Sequence, residues 1–293
     1  MGYYKIADLA IEVEALGSIL GQQLERYRLV GEEAPRCQII NRKKSPIKLE
    51  GRVVGRQDYP GYEQRISTVG EGWRGLFIRE NGRFRFGRLK DDDGLKEVMY
   101  YDEAVYRHSY KASMENMEYI NTGFAFSRIL LKLGGCTLHA AATALEGACV
   151  LFLGPSGVGE STQSRLWQQY FGKDEAVILN GDHPAIRRSD HQYYVYGTPW
   201  CGREFVNTND RAVLKAGVYL EQAAENSIAR VSQGEAFGLL YRQNELFSGT
   251  PDQSRQQMDF LIELAEKIPV YKMKCRPDTQ AVQLAYKTIW EEK

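Results

Sequence analysis

The stretch Ala148-Cys149-Val150-Leu151-Phe152-Leu153-Gly154-Pro155-Ser156-Gly157-Val158-Gly159-Glu160-Ser161-Thr162 decides the fold class. Its first six residues are a continuous apolar run of the length of a buried strand. A glycine-rich turn follows, and the residues from Glu160 through Trp167 read as a helix. Strand, glycine-rich loop and helix in that order is the context that a phosphate-cradling loop requires. Glycines let consecutive backbone N–H groups turn toward phosphate oxygens, and the helix N-terminus adds the positive end of its dipole. Gly154, Pro155, Ser156, Gly157, Val158, Gly159, Ser161 and Thr162 are therefore the expected nucleotide-binding residues. Ser161 stands at the hydroxyl position that would ligate Mg²⁺ beside the phosphates, with Thr162 one residue further into the helix.

One position reverses the pattern. The form GxxxxGK[ST] wants lysine where this chain has Glu160. At ~4 Å and an effective dielectric near 20, each unit-charge pair is worth about 4 kcal/mol, and the reversal is a swing of roughly twice that before screening. The backbone cradle preserves part of the affinity, whereas phosphoryl transfer suffers badly. Two origins stay open for Glu160: a variant of a working kinase, since Lys and Glu codons differ by one base, or a natural pseudokinase.

Upstream, residues 1 to about 115 are rich in Gly, Arg and Tyr. Segments such as Ala10-Ile11-Glu12-Val13-Glu14 and Arg83-Phe84-Arg85-Phe86-Gly87-Arg88 alternate with period 2, as half-buried strands do, between turn clusters such as Tyr59-Pro60-Gly61 and Glu80-Asn81-Gly82. The basic run from Arg42 to Arg56 reads as a solvated edge or, alternatively, as a docking strip for an acidic peptide. From about Met117 the texture changes. Tyr119 to Lys132 predicts a helix stopped by Gly134-Gly135; Asp252 to Lys267 predicts another closed by Pro269, and Gln280 to Trp290 a last one. Interleaved strand and helix signals predict an α/β core over 117–293, preceded by a β-rich (α+β) domain over 1–116.

Composition narrows the function classes. Of 293 residues, 43% are hydrophobic and 26% charged, an ordinary globular balance with room for about two domains. Lys+Arg and Asp+Glu both number 38, so no net field favours nucleic acid or an anionic membrane. No apolar run approaches the ~18–20 residues of a membrane span, and the polar N-terminus is no signal peptide, which together predict a cytoplasmic protein. The five cysteines, Cys37, Cys136, Cys149, Cys201 and Cys275, are scattered without metal-ligand spacing and read as buried thiols.

Three features around the loop resemble the HPr kinase/phosphorylase and PEP carboxykinase superfamily, most nearly its small lasso-peptide-associated serine kinases. Leu138-His139 precedes the loop's strand; the loop reads GPSGVGxST; and the apolar strand Ala176-Val177-Ile178-Leu179 ends in Asn180-Gly181-Asp182, where the superfamily has a paired-Asp motif. Tyr196 to Gly202 and Lys215 to Glu221 look like the same small kinases. The resemblance covers roughly 117–293 and implies a P-loop kinase core, ATP or another purine nucleotide with Mg²⁺, and a serine acceptor on a peptide or protein, such as a lasso-peptide precursor.

Residue by residue, the resemblance makes Asp182 the carboxylate that holds Mg²⁺ with Ser161 or accepts the acceptor's proton. Gly181 replaces the first acid of the pair, so one carboxylate serves where the family has two. His139 would orient the acceptor or contact a phosphate; His183, directly after Asp182 and before Pro184, reads either as pointing at the same cleft or as a surface residue. Arg203 and Arg211 are the candidates for the fixed positive charge that phosphoryl transfer needs, with Arg187-Arg188 a solvated face. Trp200 and Cys201 pack beneath the cleft; His108 and His191 are incidental. Homo-oligomerisation is a family implication, although the chain lacks the HPr-kinase N-terminal domain. Two alternatives stay open: a small hydroxylated metabolite as acceptor, or a non-catalytic nucleotide-binding scaffold.

Overall fold

The computed structural model describes residues 1–43, 51–107, 113–244 and 251–291. The chain divides into two compact units, Met1–Lys132 and Leu133–Lys293. Part of the basic run 42–56 and His108 lie outside the described residues; of that run, Arg42 pairs with Glu14, and Arg56 with Asp58 and Glu63.

The first unit contains β1 (Gly2–Ile6), β2 (Leu9–Glu14), α1 (Ser18–Leu24), β3 (Cys37–Arg42), β4 (Arg52–Tyr59), β5 (Tyr62–Thr68), β6 (Trp73–Glu80), β7 (Arg83–Asp91), β8 (Lys96–Tyr101), α2 (Glu103–Arg107) and α3 (Met114–Lys132). Among the described residues its strands form one sheet in the order β1-β2-β3-β8-β7-β6-β5-β4. From β4 to β8 neighbouring strands pair antiparallel, each hairpin setting the next register, whereas β2–β3 and β3–β8 pair parallel. The alternation in β2 does not mark a solvated face: Glu12 is buried with its apolar neighbours and accepts a hydrogen bond from Gln38.

Helix α3 belongs to this first unit, so the division falls after Lys132 rather than at 116. The change in sequence texture predicts that the helix goes with the downstream sequence, but its polar side chains are satisfied upstream. Glu118 accepts from the Leu16 and Gly17 N–H groups (2.6 and 2.7 Å), satisfying donors at the start of α1 that have no cap of their own. Arg128 makes a two-pronged pair with Glu97 of β8, Nε–Oε1 2.8 Å and Nη2–Oε2 2.6 Å, with both side chains almost fully buried.

The second unit contains β9 (Gly135–Thr137), β10 (Ala141–Leu145), β11 (Ala148–Leu153), α4 (Glu160–Phe171), β12 (Val177–Asn180), β13 (Ala185–Ser189), β14 (Gln192–Tyr196), β15 (Arg211–Gln222), β16 (Ser227–Arg230), α5 (Gln233–Arg242), α6 (Pro251–Lys267), β17 (Val270–Cys275) and α7 (Thr279–Tyr286), with a closing π-helical turn Lys287–Glu291. Its sheet runs β12-β10-β11-β15-β14-β13-β9, with β17 beside β15 and β16 beside β17. It is mixed: β11 and β17 flank β15 in parallel, and the other pairs are antiparallel.

Helices cover both faces of this sheet. On one side Cys149, Leu151 and Leu153 pack in a core with Leu239 and Leu240 of α5 and Leu261 and Leu264 of α6. On the other, Val150 and Phe152 pack with Trp167 of α4 and Val282 and Ala285 of α7. That double burial is why β11 reads as an unbroken apolar run rather than an alternation. The cysteines, Cys37 in the first unit and Cys136, Cys149, Cys201 and Cys275 in the second, are buried free thiols.

Candidate active site

The 154–159 loop leaves the end of β11 and turns into α4. Gly157 (φ +81°) and Gly159 (φ +125°) adopt backbone that side-chain-bearing residues rarely reach, which is why the motif needs glycine there. The turn is held from outside. Val158 N–H donates to Pro155 O (3.0 Å), and Gln222 at the end of β15 donates to the Val158 carbonyl (3.2 Å). Gln243, with its amide oriented to suit its neighbours, donates to both His139 O (3.2 Å) and Gly154 O (3.0 Å). His139 N–H donates back to Gln243 O (2.8 Å). The buried Gln243 thus ties the histidine's backbone to the root of the loop.

Facing the loop is a cleft of ≈ 360 Å³, lined by Ser156, Gly157 and Gly159 of the loop, by Glu160, Ser161, Thr162 and Arg165 of α4, and by His139, Asp182 and Glu204 among others. Gly154, Pro155 and Val158 shape the turn without lining the cleft. Glu160 is the buried member of this group. Its Oε2 accepts weakly from Gly159 N–H (3.3 Å), Oε1 has no hydrogen-bond donor among the described residues, and His139 Nδ1 stands 4.0 Å from that oxygen.

Asp182 is bracketed by two imidazoles: His139 Nε2 lies 3.2 Å from Oδ1 and His183 Nδ1 3.0 Å from Oδ2. Burial alone would raise its pKa, but hydrogen bonds from His139 and His183 and their charge outweigh burial, holding the carboxyl well below the usual carboxylate range. Asp182 is therefore ionised at neutral pH.

The residue that positions Asp182 is one the sequence reading passed over. Asn180, fully buried at the end of β12, accepts from the Asp182 and His183 N–H groups through Oδ1 (2.8 and 2.7 Å). Its Nδ2 donates to the carbonyls of Thr198 (3.1 Å) and Trp200 (3.2 Å). Asn207 adds a bond to Thr198 O (3.0 Å) and one to Cys201 Sγ (3.1 Å). An Asn before Gly-Asp is a turn signal, and that was the available hint. Gly202 (φ +78°) lets the 198–207 segment approach: a Cβ there would sit 3.0 Å from Asp182 Oδ2. Gly181, by contrast, has room for a Cβ, which would meet only ordinary contacts at 3.4 Å and beyond, so glycine is no steric necessity there.

The arginines differ from expectation. Arg203 is exposed and does not line the cleft. Arg211 lies over the rings of Tyr194 (4.7 Å) and Tyr196, and Arg188 pairs with Glu263. Arg165, which the sequence reading omitted, lines the cleft and pairs with Glu204. Sequence offered one hint: it stands four residues after Ser161, on the same helical face. Among the described residues, no group of three or more His, Cys, Asp and Glu has an arrangement that could hold a metal ion by itself. No helix of the described residues is long and apolar enough to cross a membrane.

No protein-family model matches the sequence, and no curated protein matches it. Among solved structures, the Hpr(Ser) kinase/phosphatase from Coxiella burnetii is similar over 53% of this chain and 88% of its own, at 12% sequence identity and a TM-score of 0.30.

Proposed function

We propose that the cleft is a phosphoryl-transfer site that takes a purine nucleotide with Mg²⁺ and uses a serine hydroxyl of a peptide or protein as acceptor. One observation carries the reading: a glycine-rich loop between a buried strand and a helix start shares its cleft with an ionised carboxylate, Asp182. The donor set suits the groups. The Ser161 hydroxyl and the Asp182 carboxylate are hard oxygen ligands of the kind Mg²⁺ takes, and they would hold it; bound there, the ion would neutralise phosphate charge. Asp182, steadied by Asn180 and held ionised by the two histidines, suits the metal-ligand role better than that of proton acceptor, and His139 beside it would orient an approaching hydroxyl.

Glu160 is the part that does not suit a phosphate. Its carboxylate is buried beside the loop where a cation belongs, so the machinery carries a reversed charge at one position. That observation favours one second reading, a nucleotide-binding protein without turnover. Titrating ATP and Mg²⁺ into the chain and into Glu160→Lys, then following phosphate incorporation into serine peptides by mass, separates them. Glu160→Lys is expected to bind more tightly and to transfer at least ~100-fold faster than the parent. Binding in both forms with no phosphate on the peptides rules out the serine acceptor, and ATP left intact with small hydroxylated acceptors as well selects the second reading; absence of nucleotide binding in both sinks the proposal.

A further inference from the structure

With Glu160 in the lysine position, the cleft still needs a fixed cation if it is to hold phosphates. Among the described residues, Arg165 is the one arginine or lysine that lines it; the other charged or titratable lining residues are Glu160, Asp182, Glu204 and His139. Resting on the phosphate-binding reading above, we propose that Arg165 is the phosphate-contacting cation of this chain, and that Glu204 occupies it until a nucleotide displaces the carboxylate.

The helix geometry supports this. Arg165 lies one turn after Ser161, and both are exposed on the same face of α4. Helical side chains lean toward the N-terminus, so an arginine there covers the turn that carries the Ser161 and Thr162 hydroxyls. Four residues at 1.5 Å each put its Cα about 6 Å along the axis from that of Ser161 and nearly in line with it, a span that a long arginine stem closes. The guanidinium now pairs with Glu204, and both side chains are about half exposed (51% and 53%). An exposed pair of this kind contributes little to stability and exchanges readily for a better anion. A polyphosphate offers more negative charge than one carboxylate, and its tetrahedral phosphoryl groups present pairs of oxygens that the planar, two-pronged guanidinium engages.

Binding of ATP, followed by calorimetry and by competition with a fluorescent ATP analogue, tests the proposal in the full chain and in its Glu160→Lys form. Arg165→Met is expected to weaken ATP about tenfold or more, Arg165→Lys to restore part of the loss, and Glu204→Gln to tighten ATP several-fold. In Arg165→Met, the Glu204→Gln effect should disappear, because the two residues act through each other. The exposed side chains leave folding intact, which the circular dichroism melt checks. If ATP binds and Arg165→Met leaves its affinity unchanged, this proposal falls while the phosphate-binding reading stands. Unchanged affinity in Glu204→Gln removes the competitor role. If neither the parent nor Glu160→Lys binds ATP, the underlying reading falls first.

Discussion

At the scale of single residues, the site is built around Asp182 and the side chain that holds it. Asn180 satisfies two N–H groups of the turn and spends both of its own donor directions on the 198–200 carbonyls. Asn180→Ala orphans those N–H groups inside the fold, so a loss of about 2 kcal/mol or more is expected in urea unfolding. Asn180→Asp keeps the acceptor but loses the donors, and should recover only part of that loss. Asp182 itself supplies a pH test. Its folded pKa is depressed, so its contribution to stability is fully present above the ordinary carboxylate value of ~3.9 and is lost as pH falls through the lower, folded value. The stability gap between the parent and Asp182→Asn should therefore narrow as pH drops from 5 toward 2. A gap that stays constant over that range would show that His139 and His183 do not hold the carboxylate ionised.

At the scale of elements, two side chains show how the helices are fixed to their sheets. Glu97 of β8 and Arg128 of α3 form a buried two-pronged pair, and the pKa of Arg88, partly buried, is pushed down to about 10 by desolvation and by the Arg128 charge. Glu97→Ala strands that positive charge without a counter-ion, and a loss of about 3–5 kcal/mol is expected. The paired change Glu97→Leu with Arg128→Met should cost much less, since it removes both charges. In the second unit, Trp167 of α4 is fully buried against Phe152 of β11 and Trp290 of the closing turn (ring centroids 5.7 and 5.4 Å). Trp167→Ala should cost about 3–5 kcal/mol and loosen the helix whose first turn carries Ser161. Both the strand and the helix were legible beforehand: β11 and α4 fall where the apolar run and the helical spacing put them. Boundaries were less legible where an element's partners are distant, as with α3, whose Glu118 and Arg128 answer to residues about 100 and 31 positions upstream.

At the scale of the whole molecule, each unit has its own sheet and its own buried core. Amide exchange in Glu97→Ala is therefore expected to speed up first in β3, β8 and α3, with β11 and α4 keeping the parent's protection at low denaturant. Loss of protection in both units together would mean that they open as one cooperative body. The even charge balance also acquires a local meaning at this scale. Glu160→Lys would take the chain from 38 basic and 38 acidic residues to 39 and 37, a net +2, and both units of charge arise beside the loop.

What the sequence determined by itself is the local part of the site: the strand, the glycine-rich turn, the helix start with its two hydroxyls, and the reversed charge at position 160. These are contiguous, and backbone conformation, apolar run length and helical spacing are short-range properties that neighbouring residues impose. Tertiary structure alone decided which distant groups join them. Asp182 meets His139 because β12 pairs with β10. Asn180 finds its carbonyls 18 and 20 residues away. Arg165, not Arg203, faces the cleft because an arginine's direction depends on the helix that carries it and on the carboxylate that the 198–207 segment delivers. No spacing rule in one sequence encodes such pairings, since they depend on strand order and on burial that only the packed chain has.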